Sequence, residues 1–296
     1  IILGSVAAVA VSLYVVKETQ GDSDLLDLTQ LELAYTTIIY SQQINDQGQP
    51  EWVEYQRLQS PEENRIWKPL NEISPYIQHA FVAVEDENFY THPGFSFKRT
   101  VLAAINEVFR KLTGSYLTGS QLGASTIEQQ LIKNITGEDE SSGIEGYARK
   151  VKEIFVATEM EKKYSKDQIL EFYINNVFFA NGYYGIEAAS RGYFSKSASE
   201  LSLAEVAFVC SIPNRPQSYD PLEHFDNTIK RKNRILDQML SQKFISSAEY
   251  SDAYYSDIVM NPAKEIKNQN YLTTYAVSCA AKALMQKQGF EFRYEF

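Results

Sequence analysis

The sequence predicts a mainly α-helical fold with a short β appendage. Three observations carry that expectation. Several segments between residues 74 and 245 repeat apolar residues at helical spacing and open on helix-start residues. The clearest strand pattern is TTIIYSQQI and EWVEYQRLQ, flanking a turn of Asn45, Asp46 and Gly48, which reads as a β-hairpin. At 296 residues, 44% hydrophobic and 13% aromatic, the chain has ample material for a core and room for one large domain with appendages.

Charge and cysteine usage exclude some functions. A net charge of −10 is the wrong sign for general nucleic-acid binding. The basic residues are clustered locally, at Lys98-Arg99, Arg110-Lys111, Arg149-Lys150, Lys152 and Lys230 to Arg234. Such patches in an acidic protein suit a specific anionic ligand or a solvated helix face. Cys210 lies in AEVAFVCSI, a buried-looking helix, and reads as a packed free thiol. There is no CxxC and no H-E-x-x-H, and three histidines give no histidine-rich metal site.

Taken in order, residues 1–16 (IILGSVAAVAVSLYVV) are apolar and uncharged, slightly short of the about 20 residues that span a bilayer. They read as part of a transmembrane helix, with a signal-peptide core as the alternative. Residues 17–70 form a stalk that contains the hairpin. A helix then starts at Ser74-Pro75, with serine as cap and proline in the first turn, and runs apolar into Glu85. A carboxylate that closes an apolar helix is partly desolvated, which makes it a stronger base. Asp86 and Glu87 follow at once, and His92-Pro93-Gly94 reads as a structural turn. Residues 95–123 mix apolar and basic side chains in an amphipathic pattern that suits a membrane interface or a helix packed on its own core.

The string GASTIEQQLIKN (123–134) holds two overlapping capping boxes, Ser125-x-x-Glu128 and Thr126-x-x-Gln129. A helix start of this kind suits a phosphate group, and Lys133 stands about two turns on with a stem that reaches back. On a long helix over 143–164, Arg149 and Glu153 share a face, with Lys150 on its flank.

Three strings in this order, EDENFYTHPG (85–94), GASTIEQQLIKN and RKVKE (149–153), resemble the motifs of the peptidoglycan glycosyltransferases of glycosyltransferase family 51. These are the transglycosylase modules of class A penicillin-binding proteins. KDQILEFYINN and GYYGIEAAS extend the similarity over roughly residues 60–245. The resemblance implies a lysozyme-like domain over 71–245, with residues 95–123 as a small membrane-facing jaw lobe. It implies polymerisation of lipid II into β-1,4 glycan with inversion and release of undecaprenyl pyrophosphate. Glu85 would be the base and Glu153 the second essential carboxylate. Asp86, Ser125, Thr126, Gln129, Gln130, Lys133, Asn134, Arg149, Lys150 and Asn214 would bind substrate.

No cofactor is required, and a divalent cation (Mg or Mn) at the pyrophosphate is compatible. The implied partners are lipid II, the growing glycan, the membrane and other cell-wall synthesis proteins, with no nucleic acid. The implied location is the bacterial cell membrane, single-pass, with the catalytic domain outside the cytoplasm. Where the family usually has glycine, Ala180 and Ser195 imply turns that differ if those positions need positive φ. Residues 246–296 resemble a linker toward a further C-terminal region, and no S-x-x-K or K-T-G is present.

Overall fold

The structure is a computed structural model that describes residues 28, 37–45, 48–58, 64–118, 123–136, 144–262, and 275, 279, 282 and 283. The expected transmembrane segment, 1–16, lies outside the described residues. No described helix is long and apolar enough to cross a membrane. The chain divides into two units, one of Thr36–Ser60 with Ala263–Phe296, the other holding Pro61–Pro262.

In the first of these units, β1 (Thr37–Ile44) and β2 (Pro50–Leu58) pair antiparallel, with a register shift between Ile39 and Tyr40. The turn follows from its residues. Asn45 Oδ1 accepts from Gln49 N at 2.9 Å, and Gly48 adopts φ +76°, where a side chain would be strained. The expected hairpin is present.

The second unit is helical. Its elements are α1 (Pro75–Glu85), α2 (Phe97–Thr113), α3 (Ile127–Thr136), α4 (Ile144–Lys163), α5 (Lys166–Asn176), α6 (Ile186–Phe194), α7 (Leu203–Val209), α8 (Phe225–Ser241) and α9 (Ser247–Tyr255). Serine caps open several of them. Ser165, Ser202 and Ser246 each form a complete capping box with the Gln or Glu three residues on. The apolar run of α1 explains its central place. Ile77, Ala80, Phe81, Val82 and Ala83 are buried, and α1 packs against α8 and α7. Phe81 meets Tyr173 edge-on at 5.5 Å and Phe179 at 6.2 Å, joining α1 to α5 and the loop after it. On another side α3 packs against α5 and α4. The end of α1 and the start of α3 are therefore both fixed by a rigid core.

Two short strands, β3 (Asn64–Arg65) and β4 (Tyr183–Tyr184), pair in parallel and sew the entry of the domain to the α5–α6 loop. Arg65 lies over the Tyr184 ring at 4.8 Å and donates to Asn176 Oδ1 at 2.6 Å. The helical unit also runs past residue 245. Tyr76 on α1 donates to Glu249 on α9 at 2.5 Å, and Lys232, buried in α8, caps the end of α9 through the carbonyls of Ala253 and Tyr254.

The turns at Ala180 and Ser195 correct an expectation. Both adopt the left-handed conformation that glycine would favour, with φ +61° and +54°. The turns keep their shape and the residues carry the strain. Ser195 is helped by its hydroxyl, which donates to Asn261 O at 2.8 Å.

Candidate active site

Glu85 is the last residue of α1, and its side chain is 9% exposed. The core packing of α1 fixes where its carboxylate stands. Gln130 on α3 donates Nε2 to Glu85 Oε2 at 3.0 Å, and Tyr173 on α5 donates its hydroxyl to Gln130 Oε1, also at 3.0 Å. Burial, followed by the negative charge of Glu85, raises the Tyr173 phenol well above its ordinary range, so it stays a donor. On the other oxygen, Arg231 Nη2 lies 3.5 Å from Glu85 Oε1. Arg231 is itself held by Ser211 O at 3.1 Å and by the Tyr219 ring at 5.2 Å. The carboxylate is thus oriented from both sides.

Asp86 faces the opposite way. It is fully buried; Oδ2 accepts from Ile127 N at 3.2 Å and meets His92 Nε2 at 2.8 Å, while Arg99 lies 3.4 Å from Oδ1. Expected as a substrate contact, it instead ties the first motif to the start of α3. Glu87 is exposed, so the three consecutive acids do not crowd one another. Gly94 completes the tie. At φ +85° it passes so close to α4 that a Cβ would stand 2.5 Å from Ala157 O, and its own carbonyl accepts from Thr126 Oγ1 at 2.7 Å.

Of the two capping boxes at the start of α3, one forms. Thr126 Oγ1 accepts from Gln129 N at 3.4 Å, and Gln129 Oε1 accepts from Thr126 N at 3.0 Å. The Ser125–Glu128 box does not. Ser125 Oγ accepts from Lys150 Nζ at 2.9 Å, and Glu128 is turned inward to Lys166 at 2.8 Å. The physical reason is tertiary: a buried carboxylate and a nearby ammonium gain more from pairing than from a local cap. Thr126 and Gln129 are buried, so they shape the helix start from within.

The third motif makes a compact charged group on α4. Glu153, 4% exposed, receives Arg149 Nη1 on one oxygen and Lys150 Nζ at 2.7 Å on the other. Lys150 bridges from there to Ser125, which joins this group to the start of α3. Arg149 Nε is buried with no partner among the described residues, beside a cluster with two cations and one carboxylate. Such an excess of positive charge, next to a helix N-terminus, suits a multiply charged anion.

Lys133 and Asn134 stand at the far end of α3, half-buried and exposed respectively, and Lys133 takes no side-chain partner among the described residues. Asn214 is exposed in the loop after α7, and among the described residues no hydrogen bond or ion pair joins it to the groups above. Sequence reasoning missed Arg231 and Tyr173. A signal existed for Arg231: it lies four residues before Ile235, on the stripe of α8 that includes the buried Thr228, Lys232, Ile235, Leu236 and Met239. Tyr173 carried no signal beyond an apolar helix. Cys210 is free and buried as expected, with its thiol pushed up by burial and by Glu85.

Asp86, His92 and Glu128 bring donor atoms within 4.8 Å of one another. They do not fit a cation. Asp86 Oδ2 is committed to Ile127 N and His92, and the Lys166 ammonium sits where it would repel a metal.

α2 carries more exposed large apolar side chains than any other described helix. Ser96 caps it and Gly114 ends it at φ +78°, yet Asn106 is its single buried residue. Phe97, Val101, Leu102, Ile105, Val108 and Leu112 are all exposed, Leu112 by 81%. Of the two readings open from the sequence, packing on its own core is therefore not what this helix does.

Comparison with known proteins agrees with these motifs. The family model described as Transglycosylase matches residues 53–240. Penicillin-binding protein 4 of Bacillus subtilis is 36% identical over 237 residues, covering 80% of this chain and 36% of that protein. Penicillin-binding protein 1F of the same organism is 40% identical over 187 residues, 63% of this chain and 25% of its own length. A crystal structure of penicillin-binding protein 1A from Haemophilus influenzae aligns with 86% of this chain and 26% of that one, at 21% identity and a TM-score of 0.42. The chain thus spans about a third or less of these relatives. With a mainly helical domain, the motifs in order and a family match across most of that domain, the chain belongs to the transglycosylase family, as a peptidoglycan glycosyltransferase module of the class A penicillin-binding protein kind.

Proposed function

We propose that this module polymerises lipid II into β-1,4 glycan strands with inversion at the donor sugar. The observation that carries the reading is Glu85: a nine-tenths buried carboxylate held between Gln130 and Arg231, one helix away from a cationic group at the start of α3. Glu85 takes the proton from the acceptor's 4-hydroxyl as that oxygen attacks the anomeric carbon, and undecaprenyl pyrophosphate leaves. Fixed orientation of a base in a partly dry site is what general-base catalysis requires.

The departing pyrophosphate gathers charge, and Lys150, Arg149 with its unpartnered Nε, and Lys133 are the groups that neutralise it. Glu153 keeps Arg149 and Lys150 in place until that ligand arrives. Ser125 lies in reach through Lys150. Asp86, Thr126 and Gln129 hold the frame behind the site, while Asn134 and Asn214 are left as outer contacts of the glycan. No step is assigned to a divalent cation.

The exposed apolar stripe of α2, with Arg110 and Lys111 at its end, supports membrane association of this lobe and entry of a lipid-linked donor from the bilayer. The anchor at 1–16, a location outside the cytoplasm and contact with other cell-wall synthesis proteins belong to the same proposal. Incubating the purified chain with labelled lipid II tests it. Polymer of increasing length is expected; cleavage of preformed glycan, or no product, overturns it.

A further inference from the structure

Behind the site, two carboxylates converge on one ammonium. Lys166, at the start of α5, lies 2.8 Å from Glu128 Oε1 on α3 and 2.7 Å from Glu161 Oε1 on α4. Glu128 is fully buried, and its Oε2 has no hydrogen-bond partner among the described residues. Glu161 Oε1 is also buried, and the nearby Lys166 stands off the line of a well-formed hydrogen bond to it. With both acids ionised, this pocket would hold two negative charges against one positive and leave two buried acceptor oxygens without a donor. A single proton between them removes the excess charge and supplies the missing donor.

We propose that Glu128 and Glu161 share one proton beneath Lys166, and that this clamp positions α3, the helix that presents Gln130 to Glu85. The other charged groups facing Glu128 are Asp86 and His92, from the loop after α1, with Arg99 beyond them on Asp86. The Phe89 ring lies under Lys166 at 4.5 Å and shields the pocket from water. Burial first, then the contact with Glu161, pushes the Glu128 carboxyl up to about 7, with Lys166 pulling the other way. The folded value lies above the unfolded one. The clamp's contribution is therefore full below the ordinary glutamate range and is lost as pH rises through about 7.

The effect on catalysis rests on the proposed function, but the shared proton does not, and the test avoids turnover. Wild type, Glu128→Gln and Glu161→Gln are compared by infrared difference spectroscopy and by hydrogen exchange of the α3 amides. A glutamine at either position imitates the protonated acid, so each variant serves if the other fails to fold. The infrared band of a buried protonated carboxyl is expected in wild type at pH 6, fading as pH rises to 8 and absent from the variants. The opening constant of α3, corrected for base-catalysed exchange, should rise roughly 100-fold in wild type between pH 5 and 8, and stay level in Glu128→Gln. His92 is common to all three proteins, so the difference between them reports the clamp. A missing band, or parallel pH profiles for wild type and variant, overturns the proposal.

Discussion

Replacing Glu85 by glutamine tests the centre of the site, and the structure says what the change costs besides the base. Both carboxylate oxygens face donors, Gln130 Nε2 at 3.0 Å and Arg231 Nη2 at 3.5 Å. The glutamine amide has one acceptor oxygen to offer. With that oxygen toward Arg231, its NH2 meets the NH2 of Gln130, which must flip. The flip takes Gln130 Oε1 away from the Tyr173 hydroxyl, a buried donor that then has no acceptor. Leaving one buried group unsatisfied costs about 1–2 kcal/mol. Glu85→Gln should therefore fold with a stability loss of that size, and lose polymerisation by at least about 100-fold through loss of the base.

Adding Tyr173→Phe to Glu85→Gln removes the orphaned donor. The double variant should lose less stability than the sum of the single ones, while remaining inactive. Chemical denaturation and steady-state polymerisation of lipid II on the four proteins complete the cycle. Additive stabilities would refute the Tyr173–Gln130–Glu85 relay, and turnover within a few-fold of wild type would refute Glu85 as the base.

Two further outcomes follow. Lys133→Ala should leave stability within about 0.5 kcal/mol, because its side chain meets no partner among the described residues, and should cost roughly 2–4 kcal/mol of transition-state stabilisation if it meets the leaving group; normal turnover in a stable variant would reduce it to a surface lysine. Leu112→Asp, at a side chain 81% exposed, should leave the melting temperature unchanged and weaken co-sedimentation of the chain with liposomes, and equal binding would remove α2 from the membrane contact.

The sequence by itself determined what depends on short range. Periodicity and caps placed α1, α3 and α4, the Asn45–Gly48 turn placed the hairpin, and the ordered motifs placed the chain in its family. An apolar helix ending on a carboxylate marked Glu85, and the spacing of Arg149, Lys150 and Glu153 put them on one face. Tertiary structure decided which of several competing partners each polar group took. Ser125–Glu128 was as good a capping box as Thr126–Gln129, yet Glu128 turned inward because Lys166 and Glu161 arrive there from two other helices. Asp86 read as part of an acidic cluster, and burial made it a brace for the start of α3. Arg231 and Tyr173 reach the site from α8 and α5, far along the chain, and no local pattern says which cation of a basic run will face a carboxylate. Burial multiplies the strength of a charge contact and the cost of leaving one unmade. Which pairs form is therefore settled by how the helices pack.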